Sequence, residues 1–272
     1  MTVAARPPKR SSLGIGNTRL PLGPAYALML VLLYLPIILL AVFSLTANTS
    51  LSFPLKSFTL GWYGDALGDS SILDAARNSL VVGTIAATAA TALAFAVGLA
   101  VLRFRFAGRG LLLGLSAAPL VVPFVALGVA LFLLFNLLGI PRSLLTIAAG
   151  HSVVALPYAA LILLARMVGL DPALEDAAMD LGASYPTTLR RVILPLRGPS
   201  LVSAWLTSFI VSFDEVALAN FLAGGDPTFP VYLYGELRFA QRLPILIAMA
   251  VMLMLVTMTL MLVANRLRSH SQ

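Results

Sequence analysis

Two acids stand side by side in an otherwise apolar run, Ser212-Phe213-Asp214-Glu215. An ionisable group inside a hydrophobic segment is costly to bury, so it is by default a candidate functional site, here one whose negative potential would favour a cation. The alternative is structural: Asp214 and Glu215 cap a helix break, or pair with Arg238 or Arg242 in the segment that follows. Other chemistries fail on residue type. The only lysines, Lys9 and Lys56, do not follow a glycine, so there is no Gly-x4-Gly-Lys-Ser/Thr phosphate loop and the chain is not expected to hydrolyse ATP. His151 and His270 are too few for a zinc cluster, and the lack of cysteine removes thiol chemistry and disulfides. His151 falls in an apolar span, where a hydrogen bond inside a helix bundle is its expected role and a polar lining for a solute path is the lesser one. No nucleophile, base and orienting group can be assembled, which argues against an enzyme.

The elements that must position these acids are set by composition. Of 272 residues 60% are hydrophobic and only 11% charged, with mean hydropathy +0.97, which excludes a soluble globular domain. The expected fold is an all-α integral membrane protein with six transmembrane helices in one domain, 24–268, after a basic tail over residues 1–23. Spans are expected at about 25–45, 78–102, 111–138, 144–168, 199–222 and 243–264. The second is rich in Gly, Ala and Thr, which lets helices approach closely in lipid. Pro119 and Pro123 interrupt the third, and kinking is the commoner reading of that pair. The net charge of +7 invites a nucleic-acid partner, but the basic residues are scattered between spans, so none is expected.

Those basic residues instead set orientation. With the N-terminus inside, Arg6, Lys9, Arg10, Arg19, Arg103, Arg105, Arg109, Arg166, Arg190, Arg191, Arg197, Arg266 and Arg268 are inner, and Lys56, Arg77, Arg142, Arg238 and Arg242 are outer. Thirteen against five, which together make the 18 Lys and Arg of the chain, favours both termini in the cytoplasm.

The same count puts the loop 171–195 inside. Asp171 and Pro172 suit a helix start, Leu174, Ala177, Ala178 and Leu181 share one face, and Glu175, Asp176, Met179 and Asp180 share the other. Gly182 suits a tight turn that needs positive φ, Ser184 and Pro186 begin a second short helix, and Leu194 with Pro195 close it. Two amphipathic helices joined at a glycine make a docking element, against the plainer reading of an ordinary cytoplasmic loop.

The run Asp176, Ala177, Ala178, Gly182, Val192, Leu194 and Pro195 resembles the Glu-Ala-Ala-x3-Gly-x9-Ile-x-Leu-Pro loop of binding-protein-dependent ABC importer permeases. It departs from that pattern at Asp176, where the family usually has Glu, and at Val192, where it usually has Ile. Phe58-Thr59-Leu60-Gly61-Trp62-Tyr63, Asn78-Ser79-Leu80 and Ser212-Phe213-Asp214-Glu215 resemble the spermidine/putrescine-type permeases within it.

That resemblance implies a type I importer permease fold in the bacterial inner membrane, multi-pass and itself non-catalytic. It implies an ATPase dimer as partner, coupled through Glu175, Asp176, Ala177, Ala178, Gly182, Leu194 and Pro195, with Glu175 able to compensate for the shorter Asp176. It also implies a second permease subunit, an external solute-binding protein meeting Tyr232, Tyr234 and Glu236, membrane lipid around the bundle, and no cofactor in this chain, since ATP and Mg belong to the ATPase. A polyamine is the implied solute, with Asp214 and Glu215 on its path. Ferric iron, an aminophosphonate or another small solute is the alternative. A gradient-driven transporter is a different class, for which neither paired interrupted segments nor an inverted repeat is evident.

Overall fold

The computed structural model describes residues 22–49, 52–169 and 173–269. Residues 1–21 of the expected basic tail, the Asp171-Pro172 helix start and His270 lie outside them, while Leu22 and Gly23, expected in the tail, begin the first helix. Among the described residues the secondary structure is helical, apart from one isolated β-bridge between Thr46 and Phe58. In chain order the helices are α1 Leu22–Ser44, α2 Gly61–Gly68, α3 Ser70–Arg103, α4 Arg109–Ala117, α5 Phe124–Leu137, α6 Leu144–Met167, α7 Ala173–Asp180, α8 Tyr185–Thr188, α9 Leu194–Phe213, α10 Ala219–Leu222, α11 Phe229–Glu236 and α12 Leu243–Ser269.

Four helical stretches among the described residues are long and apolar enough to cross a membrane: Gly23–Ser44, Ser70–Arg103, Leu144–Met167 and Ala240–Thr259. The expected third span is not one rod. Arg109–Leu120 and Phe124–Leu137 meet at 109°, a broken span or a re-entrant loop. Pro123 explains the break, because it has no N–H to donate to the preceding turn and pushes Val122 out of the helical region. Its ψ of 132° then starts α5 in a new direction.

The expected fifth span also has different limits. A π-helical turn, Leu189–Ile193, joins α8 to α9, so the helix runs on through Leu194 and Pro195 instead of closing there. The wider turn is marked by the Leu194 N–H donating to the Leu189 carbonyl, and such a turn accommodates a proline that cannot donate at the next position. At its far end α9 stops at Phe213, well short of residue 222, and α10 follows only after a turn.

The core is built where α3, α6 and α9 pack together. Small side chains make this possible: Ala86, Ala87, Ala90 and Ala94 of α3 and Ala155, Ala159 and Ala160 of α6 are buried. Several glycines sit where a side chain would crowd a neighbour, Gly224 against the Arg142 carbonyl oxygen at 2.6 Å and Gly150 against buried leucines among them. A Cβ on Gly150 would stand 2.6 Å from Leu222 Cδ1 and 2.7 Å from Leu218 Cδ2, so α10 rests directly on the backbone of α6. By contrast α1 packs on α12 and leaves Leu28, Leu32, Tyr34 and Ile38 exposed.

The aromatic element before α3 is a clasp. Trp62 Nε1 donates to the Thr46 carbonyl at 2.8 Å, and the Tyr63 and Ser44 hydroxyls are 2.7 Å apart, so the start of α2 is tied to the end of α1. Asn78 and Ser79 have a similar part. Asn78 Nδ2 donates to the Pro227 carbonyl at 3.1 Å, and Ser79 Oγ accepts from the Phe229 N–H at 2.8 Å, fixing the start of α11 against α3.

Candidate functional site

Two features sit at opposite ends of α9, a helix about 30 Å long at about 1.5 Å per residue. At its start is the loop of α7 and α8. Glu175 of α7 is buried and forms an ion pair with Arg103, the last residue of α3. Asp176 and Ala177 are exposed, as are Leu174 and Leu181. The face turned to the bundle therefore carries Glu175, while Leu174 and Leu181, expected on an apolar face with Ala178, point to solvent. Glu175 is buried and Asp176 exposed, so the two neighbouring acids face different surroundings.

Gly182 ends α7 with φ 86°, the left-handed region where a side chain is strained. A Cβ there would meet nothing within 4 Å, so the backbone, not a neighbour, calls for glycine. The Ala183 N–H donates to the Ala178 carbonyl at 3.1 Å and the Gly182 N–H to the Met179 carbonyl at 2.9 Å, which closes the helix end in a Schellman-type turn. Leu194 is partly buried and Pro195 exposed, both inside the continuous α8–α9 helix.

At the far end of α9 the two acids separate. Asp214 is exposed and lines a cavity of about 410 Å³ with Phe213, Phe229, Tyr234, Leu253 and Met254. Trp205, Phe209 and Phe213 stack along α9 below it, with ring centroids 5.4 and 5.7 Å apart. Glu215 is buried and turned away. Its carboxylate accepts from the Leu218 N–H at 2.9 and 3.1 Å and from the Ala219 N–H at 2.9 Å, so it caps α10. Its Oε2 is also 3.4 Å from His151 Nε2, while His151 Nδ1 is 2.8 Å from Ser212 Oγ. Glu215, His151 and Ser212 thus form one buried polar knot that holds the turn between α9 and α10.

Neither acid pairs with Arg238 or Arg242. Arg242 takes Asp69, at the start of α3, and Glu236, with Nε to Oε2 at 3.1 Å, and it donates to the Tyr232 hydroxyl at 3.0 Å. Arg238 stacks 5.0 Å from the Phe239 ring. Burial pushes the Tyr232 hydroxyl above the ordinary phenol range, an effect that the Arg242 charge opposes. Of the three loop residues expected to meet a partner, Tyr232 and Glu236 are thus engaged internally, and Tyr234 is exposed beside the Asp214 cavity. The Arg242 strap was not foreseen from sequence. Glu236 and Tyr232 are near it in the chain, but Asp69 is 173 residues away, and only the tertiary fold brings it to Arg242.

Known proteins are similar to this chain in sequence and in fold. The chain is 31% identical over 236 residues to the spermidine/putrescine transport system permease protein PotC of Escherichia coli strain K12, covering 86% of this chain and 88% of that one. It is 35% identical over 193 residues to PotC of Haemophilus influenzae, covering 71% and 74%. To the putrescine transport system permease protein PotI of Escherichia coli strain K12 it is 33% identical over 214 residues, covering 76% of each. The fold resembles that of a bacterial ABC transporter that imports the polysaccharide alginate, with TM-score 0.70 at 17% identity over 90% of this chain and 95% of that one. The profile of the family described as "Binding-protein-dependent transport system inner membrane component" matches residues 79–271, well over half of the 272 residues. This chain belongs to that family of inner-membrane transport components.

Proposed function

We propose that this chain is the permease subunit of an ATP-driven importer and forms the translocation path for a polyamine-like cation delivered by an external binding protein. The observation that carries the reading is α7 itself. It is a short helix anchored inward by Glu175 and ended at Gly182, and a turn joins it to α8, which runs without a break into the long helix α9. A partner that moves Asp176 and Ala177 on its exposed side acts on a rod that ends beside Asp214. Two ATPase subunits, carrying ATP and Mg, would dock there, with no cofactor in this chain, and a second permease chain would complete the path. A six-span bundle with both termini in the cytoplasm fits the charge distribution, with the bent α4–α5 pair and α9 as the two spans beyond the four long apolar helices.

The solute class rests on Asp214. A carboxylate in a cavity walled by Phe213, Phe229 and Tyr234 offers an ion pair and aromatic faces, both of which favour an ammonium group over an anion. Relatives named for spermidine and putrescine transport support the same class.

The test is a detergent pull-down of the intact chain and of an Asp176→Arg, Gly182→Pro variant, scored for ATPase subunit recovered and for ATP-dependent uptake of labelled spermidine. The intact chain is expected to retain both and the variant to lose both. Uptake by the intact chain in the absence of any ATPase would overturn the proposal in favour of a gradient-driven transporter.

A further inference from the structure

At the end of the bundle that carries α7, helices α6 and α9 leave between them a cavity of about 440 Å³, whose wall includes Arg166, Arg197 and Ser200. Arg166 is in the last turn of α6 and Arg197 in the first turn of α9, so the helix ends present two guanidinium groups to one space. A third, Arg103, acts electrostatically on Arg197, as does Arg166. Among the described residues only one of the three is answered. Glu175 pairs with Arg103, and among the described residues no carboxylate forms an ion pair with Arg166 or Arg197. The Nε of Arg197 is buried without a hydrogen-bond acceptor.

Like charges facing one cavity repel, and a buried N–H with no acceptor is destabilising unless something is bound there. The rim indicates what kind of occupant fits. Leu161, exposed, lies about 7 Å from Arg166 along α6 toward the middle of the helix, and the exposed Leu196 flanks Arg197. The cavity is thus basic at Arg166 and Arg197 and apolar along the α6 wall at Leu161, Ile162 and Ala165, while α9 contributes Ser200 and Ser203 farther along.

We propose that this cavity binds a phosphate-class anion through Arg166 and Arg197, supplied by the headgroup of an anionic phospholipid. The planar guanidinium forks match paired phosphate oxygens, and an acyl chain would follow Leu161 along the apolar side. The bound headgroup neutralises Arg166 and Arg197 beside the Arg103–Glu175 pair, and so ties the end of α6 to the start of α9 next to the loop of α7. This inference rests on the cavity alone and is independent of which solute is carried.

The experiment uses the full chain purified with its partner subunits in mild detergent. Retained phospholipid is quantified by mass spectrometry, and unfolding midpoints are measured after reconstitution in phosphatidylcholine, with and without phosphatidylglycerol. The native chain is expected to retain phosphatidylglycerol and to unfold at a higher temperature with it. An Arg166→Gln, Arg197→Gln variant should retain roughly tenfold less, equivalent to about 1.4 kcal/mol. An Arg166→Lys, Arg197→Lys variant should fall between the two, because it keeps the charge but loses the fork, and it guards against a folding defect in the glutamine variant. Inorganic phosphate titrated into the phosphatidylcholine sample separates the two sources of the anion. Stabilisation by phosphate but not by phosphatidylglycerol would keep the anion class and overturn the lipid. Equal retention and equal midpoints in all three proteins would overturn the site, leaving the cavity to be filled by a partner subunit.

Discussion

Arg103, the last residue of α3, and Glu175, in α7, form an ion pair across 72 residues of sequence, with side-chain exposures of 20% and 8%. The pair fastens a short peripheral helix to the end of the longest helix in the bundle. It also decides which acid of the Glu175-Asp176 doublet is available to a partner.

Removing this fastening should loosen α7 without unfolding the bundle. Glu175→Ala leaves Arg103 without its acceptor, a loss of roughly 1–3 kcal/mol in the local closing of α7. Amide hydrogen exchange across 173–195 is expected to quicken by about tenfold or more, with Glu175→Gln between the variant and the native chain. Unchanged exchange would mean that the pair does not hold the helix.

Gly182 offers a conformational test free of steric side effects, since a Cβ there has open space around it. Gly182→Ala should cost about 1–2 kcal/mol through the left-handed backbone alone. Gly182→Asn should be milder, because asparagine is the commonest non-glycine residue at such helix ends. ATP-dependent uptake is expected to rank native, Asn, Ala. The same uptake for alanine as for glycine would show that the turn is not needed for coupling.

The contact between α6 and α10 makes the opposite kind of prediction. Gly150→Ala places a methyl group within 2.7 Å of Leu218 and Leu222 side-chain carbons, so it should destabilise by about 1–3 kcal/mol through overpacking. Adding Leu222→Val should return part of the loss. A thermal unfolding midpoint as high in Gly150→Ala as in the native chain would mean that α10 shifts aside freely.

Asp214 and Glu215 are adjacent but should fail differently. Asp214→Asn removes charge from an exposed cavity wall, so the unfolding midpoint should hold while uptake of a cationic amine weakens by about tenfold, as loss of one charge-assisted contact would give. Glu215→Ala strips three backbone hydrogen bonds from the start of α10 and leaves His151 facing an empty site. It should lower stability by about 2–4 kcal/mol, judged from the usual cost of buried unsatisfied groups. Unchanged affinity and rate in Asp214→Asn would remove that residue from the solute path.

The sequence by itself determined the all-helical membrane character, where the long apolar helices fall, and the loop with its glycine turn, because each depends on local hydrophobicity or on a residue's own backbone preference. The φ of Gly182 and the length of α6 are of this kind. What only the tertiary structure decided depends on residues distant in the chain. Glu175 turns inward because Arg103 waits at the end of α3, and Glu215 turns inward because His151 of α6 and the free N–H groups of α10 converge on it. Periodicity places an acid on a helix face, but cannot say which face the rest of the bundle will cover. The bend before α5 and the π turn before Pro195 lie between these cases: the prolines are plain in the sequence, but whether each breaks, turns or merely widens a helix is set by the neighbours that take up the freed backbone groups.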